Sequence, residues 1–180
     1  MDARRVDRVA LGADGDAVHH LDRLAISAES DPIYPARIHF TSTPAEPTTA
    51  DALSTSAKHI AQIVSAKAMV CYTSSGSTAR RIARERPTVP ILVMTASRTV
   101  ARRLGLQWGV HAVATRDVSN FEEMVGKARR MALRHQIAGA DDRLVIMAGV
   151  PFGESGSTNV IHVVRLKGDE LESYTGPAEA

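Results

Sequence analysis

Two hydroxyl-rich segments of the sequence are candidates for binding chemistry, and the first opens a predicted helix directly after a short apolar run. Amides at the start of a helix have no partners within the helix, and the helix dipole adds partial positive charge there. Hydroxyl donors and a glycine let a phosphate group approach these amides closely. The same residues would also serve as an N-cap, but six of them exceed what a cap needs. We predict that this phosphate-binding loop consists of Thr73, Ser74, Ser75, Gly76, Ser77 and Thr78.

The second segment, residues 149–159, follows another apolar run and has a similar composition. Its alternative interpretation is a plain hairpin-like connection. In parallel sheets, ligands bind beyond the carboxyl ends of the strands, so two such loops after different strands favour one shared anion site. The residues that we expect to close over the anion are Gly153, Glu154, Ser155, Gly156, Ser157 and Thr158.

The sequence lacks the residues that nucleotide hydrolysis, nucleophilic catalysis or zinc binding would require. Neither loop contains the Gly-Lys-Ser/Thr of a nucleotide-hydrolysing phosphate loop, and Ser157 stands where a nucleophile elbow needs glycine. The histidines show no paired-ligand spacing, and Cys71 has no second cysteine with which to bind zinc. We find no carboxylate cluster that would hold the metal for phosphoryl transfer. We therefore predict no catalytic residues and no metal site.

The elements that position the loops alternate between apolar strands and amphipathic helices. Strands are predicted at Ala68–Tyr72, Ile91–Thr95, His111–Thr115, Leu144–Ala148 and Val160–Leu166. Helices are predicted at 18–30, from a Thr48 or Thr49 cap, at 75–86, from a Ser97 cap to Gly105, and at 120–137. Such alternation predicts an α/β fold with helices on both faces of a five-stranded, mostly parallel sheet, a three-layer sandwich. The short turn before the fifth strand leaves no room for a crossover helix, so this strand should be an antiparallel edge strand.

Length and composition set the frame for this fold. The chain has 180 residues, one cysteine and a formal charge of +2, which suit one domain in a reducing compartment, and we expect a cytoplasmic protein. The small charge and few aromatics argue against nucleic acid, and we interpret the arginine pairs as solvated helix faces. No apolar run is long enough to span a membrane. We expect a flexible head (1–17), a domain (18–167, beginning with a helix and loop at 18–47) and a polar tail (168–180).

Three separated segments resemble one known family. The order VCYTSSGSTARRIARERPTVPILVMT, LQWGVHAV and DRLVIMAGVPFGESGSTN, followed by a closing strand, resembles the C-terminal α/β domain of pyruvate kinases, especially bacterial ones. The resemblance covers about residues 20–167. It implies a domain that helps to form an oligomer and binds a phosphorylated effector, with loop 73–78 on the phosphate and loop 153–158 closing over it.

The sequence also departs from that family. Animal-type enzymes that bind fructose 1,6-bisphosphate have a lysine where Ser74 stands, and a tryptophan and an arginine where this chain has Ser119 to Met124. A second phosphate would lack its cationic partners, so we expect a sugar monophosphate or a nucleotide. The family's magnesium, potassium and substrate sites belong to a barrel of ~200 residues or more, which these 180 residues cannot contain. We therefore expect no cofactor in this domain and no catalysis from this chain alone.

Three hypotheses follow. The first is a regulatory effector-binding and oligomerisation domain, paired with itself or with a barrel-bearing pyruvate kinase chain. The second is a self-association or partner-docking module whose loops are vestigial. The third is a small phosphate-handling enzyme, which the loops support least because they offer no convincing base or metal ligands.

Overall fold

The computed structural model of the chain describes residues 15–34, 46–151 and 157–167. The chain forms two compact units, residues 1–44 and 45–180. In the first unit, helix α1 spans Gly15–Glu29, so it begins three residues before the predicted start at Val18. Most of the predicted head (1–17) and the whole predicted tail (168–180) lie outside the described residues. The boundaries expected at residues 17 and 167 stay predictions.

The second unit contains the α/β fold that the sequence predicts. Its elements are α2 (Thr49–Ile63), β1 (Ala68–Tyr72), α3 (Ser77–Arg84), β2 (Ile91–Thr95), α4 (Arg98–Leu104), β3 (Val110–Ala114), α5 (Phe121–Arg134), β4 (Arg143–Gly149) and β5 (Thr158–Arg165). The strands lie in the order β3-β2-β1-β4-β5. The pairs β1–β2, β1–β4 and β2–β3 are parallel, and β4–β5 is antiparallel, which confirms the predicted edge strand.

Successive residues of each strand point to opposite faces of the sheet and pack into two separate apolar cores. On one face, Val70 and Leu92 pack in a cluster with Met124 of α5. On the other face, Met69 and Val93 pack in a cluster with residues of α2, α3 and α4, among them Ile82. Helices therefore cover both faces of the sheet. This is why β1 and β2 are apolar without alternation.

Helix ends explain where the predicted boundaries and the structure differ. Helix α3 begins at Ser77 rather than Ser75, because Gly76 has a φ of +83° in the left-handed region and turns the chain immediately before the helix. Helix α4 ends at Leu104 with Gly105 as its C-cap, as predicted, but Gly105 has a φ of −60°, so its conformation does not require glycine. Helix α5 ends at Arg134, three residues early, because Gln136 adopts a φ of +54°.

Candidate functional site

The first predicted loop is a compact turn between β1 and α3. The Gly76 amide donates to Thr73 Oγ1 at 3.0 Å, and Thr73 is buried. A Cβ on Gly76 would lie 3.1 Å from Leu104 Cδ2 and 3.3 Å from Arg80 Nη1. The positive φ therefore favours glycine here, and a Cβ would also press against the ends of these two side chains. The turn leaves Ser74 and Ser75 exposed to solvent.

The hydroxyls of this loop gather at the start of α3. Ser75 Oγ accepts from the Ser77 amide at 3.4 Å and donates to Ser77 Oγ at 3.2 Å. Gly76 is the N-cap residue and provides no side-chain hydrogen bond to the helix. The positive end of the helix dipole is therefore flanked by two serine hydroxyls in place of a capping side chain. This arrangement offers donors to an anion.

The second predicted loop meets the first through its last residue. Thr78 Oγ1 of α3 lies 2.7 Å from Thr158 Oγ1 of β5, and both threonines are buried. The structure thus brings together one residue from each predicted loop. Gly153, Glu154, Ser155 and Gly156 lie outside the described residues.

Close packing fixes the base of the second loop. Asn159 accepts from the Val150 amide at 2.9 Å through Oδ1, and its Nδ2 donates to the Val150 carbonyl. A Cβ on Gly149 would lie 2.3 Å from Ser157 Oγ and 3.0 Å from the Ser157 carbonyl carbon. Only glycine allows Ser157 to pass this close to the end of β4. Both ends of the loop are therefore held at the carboxyl end of β4.

Two of the arginines on α3 have a structural role. Arg81 Nε and Arg84 Nη2 bind the two oxygens of buried Asp51 at 2.8 and 2.9 Å. Burial alone would raise the pKa of Asp51, but hydrogen bonds from the Glu46 amide and from both arginines, with the charge of Arg84, lower it overall. Arg81 therefore does not lie on a solvated helix face, as predicted for the arginine pairs, but binds another part of the protein. It ties α3 to the start of α2.

The segment before α5 is occupied by a helix cap. The Ser119 amide and hydroxyl donate to Glu123 Oε2 at 2.9 and 2.8 Å, and the Glu123 amide donates to Asn120 Oδ1 at 2.8 Å. These hydrogen bonds from Ser119 lower the pKa of Glu123. Residues 119–124 contain no cationic side chain. This pattern is a variant of the capping box in which Glu123 accepts from the residue before the N-cap, Ser119, instead of from the N-cap amide of Asn120.

A second polar cluster lies between the end of β1 and α5. The Tyr72 hydroxyl donates to Asp117 Oδ1, and burial together with this bond raises the pKa of Tyr72. Lys127 Nζ donates to the carbonyls of Arg116 and Asp117 at 2.8 and 3.3 Å. Tyr72 of β1 and Lys127 of α5 therefore both bind the loop that precedes α5. The cluster therefore fixes that loop against the sheet.

Candidate catalytic groups are few in the described part of the chain. The Cys71 thiol is fully buried, and burial raises its pKa to about 12, so it is not a nucleophile at neutral pH. Within residues 15–34, 46–151 and 157–167, no group of three or more histidine, cysteine or acidic side chains could hold a metal ion. None of the helices there is long and apolar enough to cross a membrane.

Comparison with known proteins identifies the family. A profile of the family described as "Pyruvate kinase, alpha/beta domain" matches residues 51–164. The chain belongs to this family. It is 35% identical over 173 residues to a pyruvate kinase of Methylorubrum extorquens, covering 92% of this chain and 36% of that protein. It is 37% identical over 158 residues to a pyruvate kinase of Agrobacterium vitis, covering 87% of this chain and 33% of that protein.

The matched region of this pyruvate kinase α/β domain runs from α2 into β5, so it contains both predicted loops. A third relative, from Sporosarcina psychrophila, is 32% identical over 151 residues, covering 83% of this chain and 26% of that pyruvate kinase. The chain thus spans about a third or less of the length of these relatives. The family and fold that the three sequence segments predict are confirmed.

Proposed function

We propose that this pyruvate kinase α/β domain binds a phosphorylated small molecule, a sugar monophosphate or a nucleotide, between loops 73–78 and 153–158. The observation that carries the proposal is the 2.7 Å contact between Thr78 Oγ1 and Thr158 Oγ1. It ties the start of α3 to the start of β5. A ligand held by the Ser75 and Ser77 hydroxyls is therefore one turn of helix or less from the end of the second loop.

The chemistry of loop 73–78 suits a phosphate better than a carboxylate or a neutral sugar. A phosphate monoester has three terminal oxygens that accept hydrogen bonds, and this loop supplies several donors at a helix start. The loop itself has no carboxylate to repel an anion. The binding energy would come from hydroxyl and amide donors acting together.

We propose that ligand binding regulates association with a catalytic partner. Because Thr78 and Thr158 are in contact, a ligand that holds one loop also constrains the other. The partner would be a second copy of this chain or a barrel-bearing pyruvate kinase chain, in keeping with relatives that are about three times longer. We expect no conversion of phosphoenolpyruvate to pyruvate by these 180 residues alone, and a coupled assay tests this.

Thermal unfolding in the presence of phosphorylated compounds tests the binding proposal. We would use ribose 5-phosphate, glucose 6-phosphate, AMP and fructose 1,6-bisphosphate, because a ligand at 100 times its Kd stabilises by about 2.7 kcal/mol. Ser77→Asp should abolish the shift, since it places like charge beside the phosphate. Ser56→Asp, at an exposed position on α2, is the control. A shift that survives Ser77→Asp would exclude loop 73–78, and no shift with any compound would contradict binding.

Self-association is a second candidate, and specific exposed residues favour it. Ile63 at the end of α2 is 82% exposed, and Val163 on β5 is 40% exposed. Among the described strands, β5 pairs only with β4, so no described strand covers its outer edge, and a partner strand could pair there. Light scattering after size-exclusion chromatography would give the mass in solution. A monomer at all concentrations would contradict this candidate, and an oligomer weakened by Ile63→Glu would support it.

A further inference from the structure

Arg80 lies against the proposed phosphate loop, one turn into α3. Its Nη1 is 3.5 Å from the Ser75 carbonyl oxygen and 3.3 Å from the position that a Cβ on Gly76 would take. The missing side chain at Gly76 therefore leaves the space in which the guanidinium sits. Because residues four apart in a helix share a face, Arg80 reaches back over the loop from which the helix starts.

Arg80 differs from the other two arginines of α3 in its ion pairs with the described residues. Arg81 and Arg84 both bind Asp51, and Arg84 also lies 3.3 Å from Glu85. Arg80 has no carboxylate partner among the residues that the structure describes, and its side chain is exposed. The contact with the Ser75 carbonyl uses one of its five N–H donors. Its remaining donors are available to an anion at the loop.

The surroundings of Arg80 extend this positive region away from the loop. Arg80, Arg84 and Arg86 line an open groove of about 510 Å³ that contains no acidic side chain. Arg86 lies 4.9 Å over the ring of Trp108, which holds its charge at the groove wall. Arg84 is neutralised by Asp51 and Glu85, so the net positive charge of the groove comes from Arg80 and Arg86. These two charges favour an anionic ligand at the end where Arg80 meets the loop.

We propose that Arg80 binds the ligand's phosphate beside loop 73–78 and supplies the positive charge that the loop lacks. This inference rests on the proposed function. Arginine matches the oxygens of a phosphate in pairs, so the same residue adds selectivity for phosphate over a neutral sugar. Arg80 lies outside the loop, whereas animal-type enzymes that bind fructose 1,6-bisphosphate have a lysine within it, at the position of Ser74. Arg80 thereby determines ligand specificity.

Calorimetric titration with glucose 6-phosphate and with inorganic phosphate tests the role of Arg80. We expect Arg80→Gln to weaken binding about tenfold or more, and Arg80→Lys to recover part of the loss because it restores charge without the paired donors. Binding by the wild type should weaken as salt increases, and this dependence should be smaller in Arg80→Gln. Unfolding of the free variants should match the wild type, since the side chain is exposed.

Arg130→Gln is a matched control on the other face of the sheet. Arg130 is also exposed, and its Nη1 lies 3.5 Å from the Cβ position of Gly126, four residues earlier on α5. This variant should bind as the wild type does. Equal binding by Arg80→Gln and the wild type would overturn the role of Arg80 and leave the proposed function standing. Loss in Arg80→Gln with none in Ser77→Asp would instead place the anion in the groove and overturn the loop site.

Discussion

Thr78 and Thr158 are 80 residues apart in sequence, yet their hydroxyl oxygens lie 2.7 Å from each other in a buried contact. Each hydroxyl satisfies the other where water has little access. Replacing one of them leaves the other unpaired, whereas replacing both removes the polar pair altogether. The contact therefore couples the two loops in stability as well as in position.

We expect Thr78→Val and Thr158→Val each to lower the free energy of unfolding by about 1–3 kcal/mol, because each substitution leaves the other threonine's buried hydroxyl without its hydrogen-bond partner. The double variant should lose less than the sum of the two, which urea unfolding of all four proteins would measure. Thr88→Val, at an exposed position, is the control for the loss of a hydroxyl. Strictly additive losses would show that the two threonines do not interact.

The sequence predicts the sheet well because buried parallel strands have a strong local pattern. β1 and β2 match the predicted Ala68–Tyr72 and Ile91–Thr95 at both ends, since each is an apolar run between turn residues. The loops at the carboxyl ends follow from the same pattern. The start of α3 does not, because the left-handed turn at Gly76 takes Ser75 out of a helix that the residue types alone permit.

The contacts of the site depend on tertiary structure, which local patterns do not contain. Arg80 and Arg81 are adjacent in sequence and look alike, but Arg81 binds Asp51 across 30 residues and Arg80 turns back to Ser75. Residue type alone therefore could not separate the arginine that joins α3 to α2 from the one that lies against loop 73–78. The Thr78–Thr158 contact could not be predicted either, because its two residues are 80 apart in the sequence.

Asp51 should be a major determinant of stability in acid. Its lowered pKa means that the folded state favours the carboxylate more than the unfolded chain does. The stabilisation is therefore complete above the unfolded value of about 3.9 and is lost as pH falls through the lowered folded value. We expect Asp51→Asn to cost stability toward the lower end of about 3–5 kcal/mol at neutral pH, since the arginines are partly exposed.

Unfolding in urea as a function of pH would measure the effect of Asp51→Asn. The free energy of unfolding of the variant should fall less steeply in acid than that of the wild type. Asp141→Asn is the control, because the ion pair of Asp141 with Arg165 is largely exposed and its loss should change little. Equal effects of the two substitutions would contradict a special role for the buried pair.

Gly149 should tolerate no side chain. In Gly149→Ala the new methyl group would lie 2.3 Å from Ser157 Oγ and 3.0 Å from Ser157 backbone atoms, so the backbone at the end of the loop must move. We expect a loss of about 1–3 kcal/mol and a weaker ligand-induced thermal shift. Gly105→Ala is the control, since its nearest contact is 3.5 Å and its φ is −60°. A neutral Gly149→Ala would show that the loop end is loosely held.

Cys71 should be unreactive in the native protein. Its thiol is fully buried with a pKa of about 12, so thiol reagents should label it only at the rate of unfolding. The unfolded chain ionises near 8.5 and binds fewer protons above that pH, so stability should fall as pH rises past 8.5. Cys71→Ala should remove this part of the alkaline loss. Rapid labelling of the native protein would contradict the burial of this thiol.

The contact between His111 on β3 and His135 after α5 should make stability depend on pH in the mildly acidic range. His111 Nε2 and His135 Nδ1 lie 3.0 Å apart, a hydrogen bond that requires one nitrogen to accept. Partial burial lowers the pKa of His111, and partial burial with the charges of His111 and Arg134 lowers the pKa of His135. The folded state therefore favours the neutral rings, and the unfolded chain binds more protons below its value of about 6.5.

Stability should consequently be greatest above about 6.5 and decline as pH falls from there toward the lowered folded values. His111→Gln removes one titrating ring and the charge it would place beside His135, so its stability curve should be flatter across this interval. His59→Gln, at an exposed position on α2, is the control and should keep the wild-type slope. Urea unfolding across this pH range measures all three proteins. A wild-type slope in His111→Gln would mean that the two rings do not couple to folding.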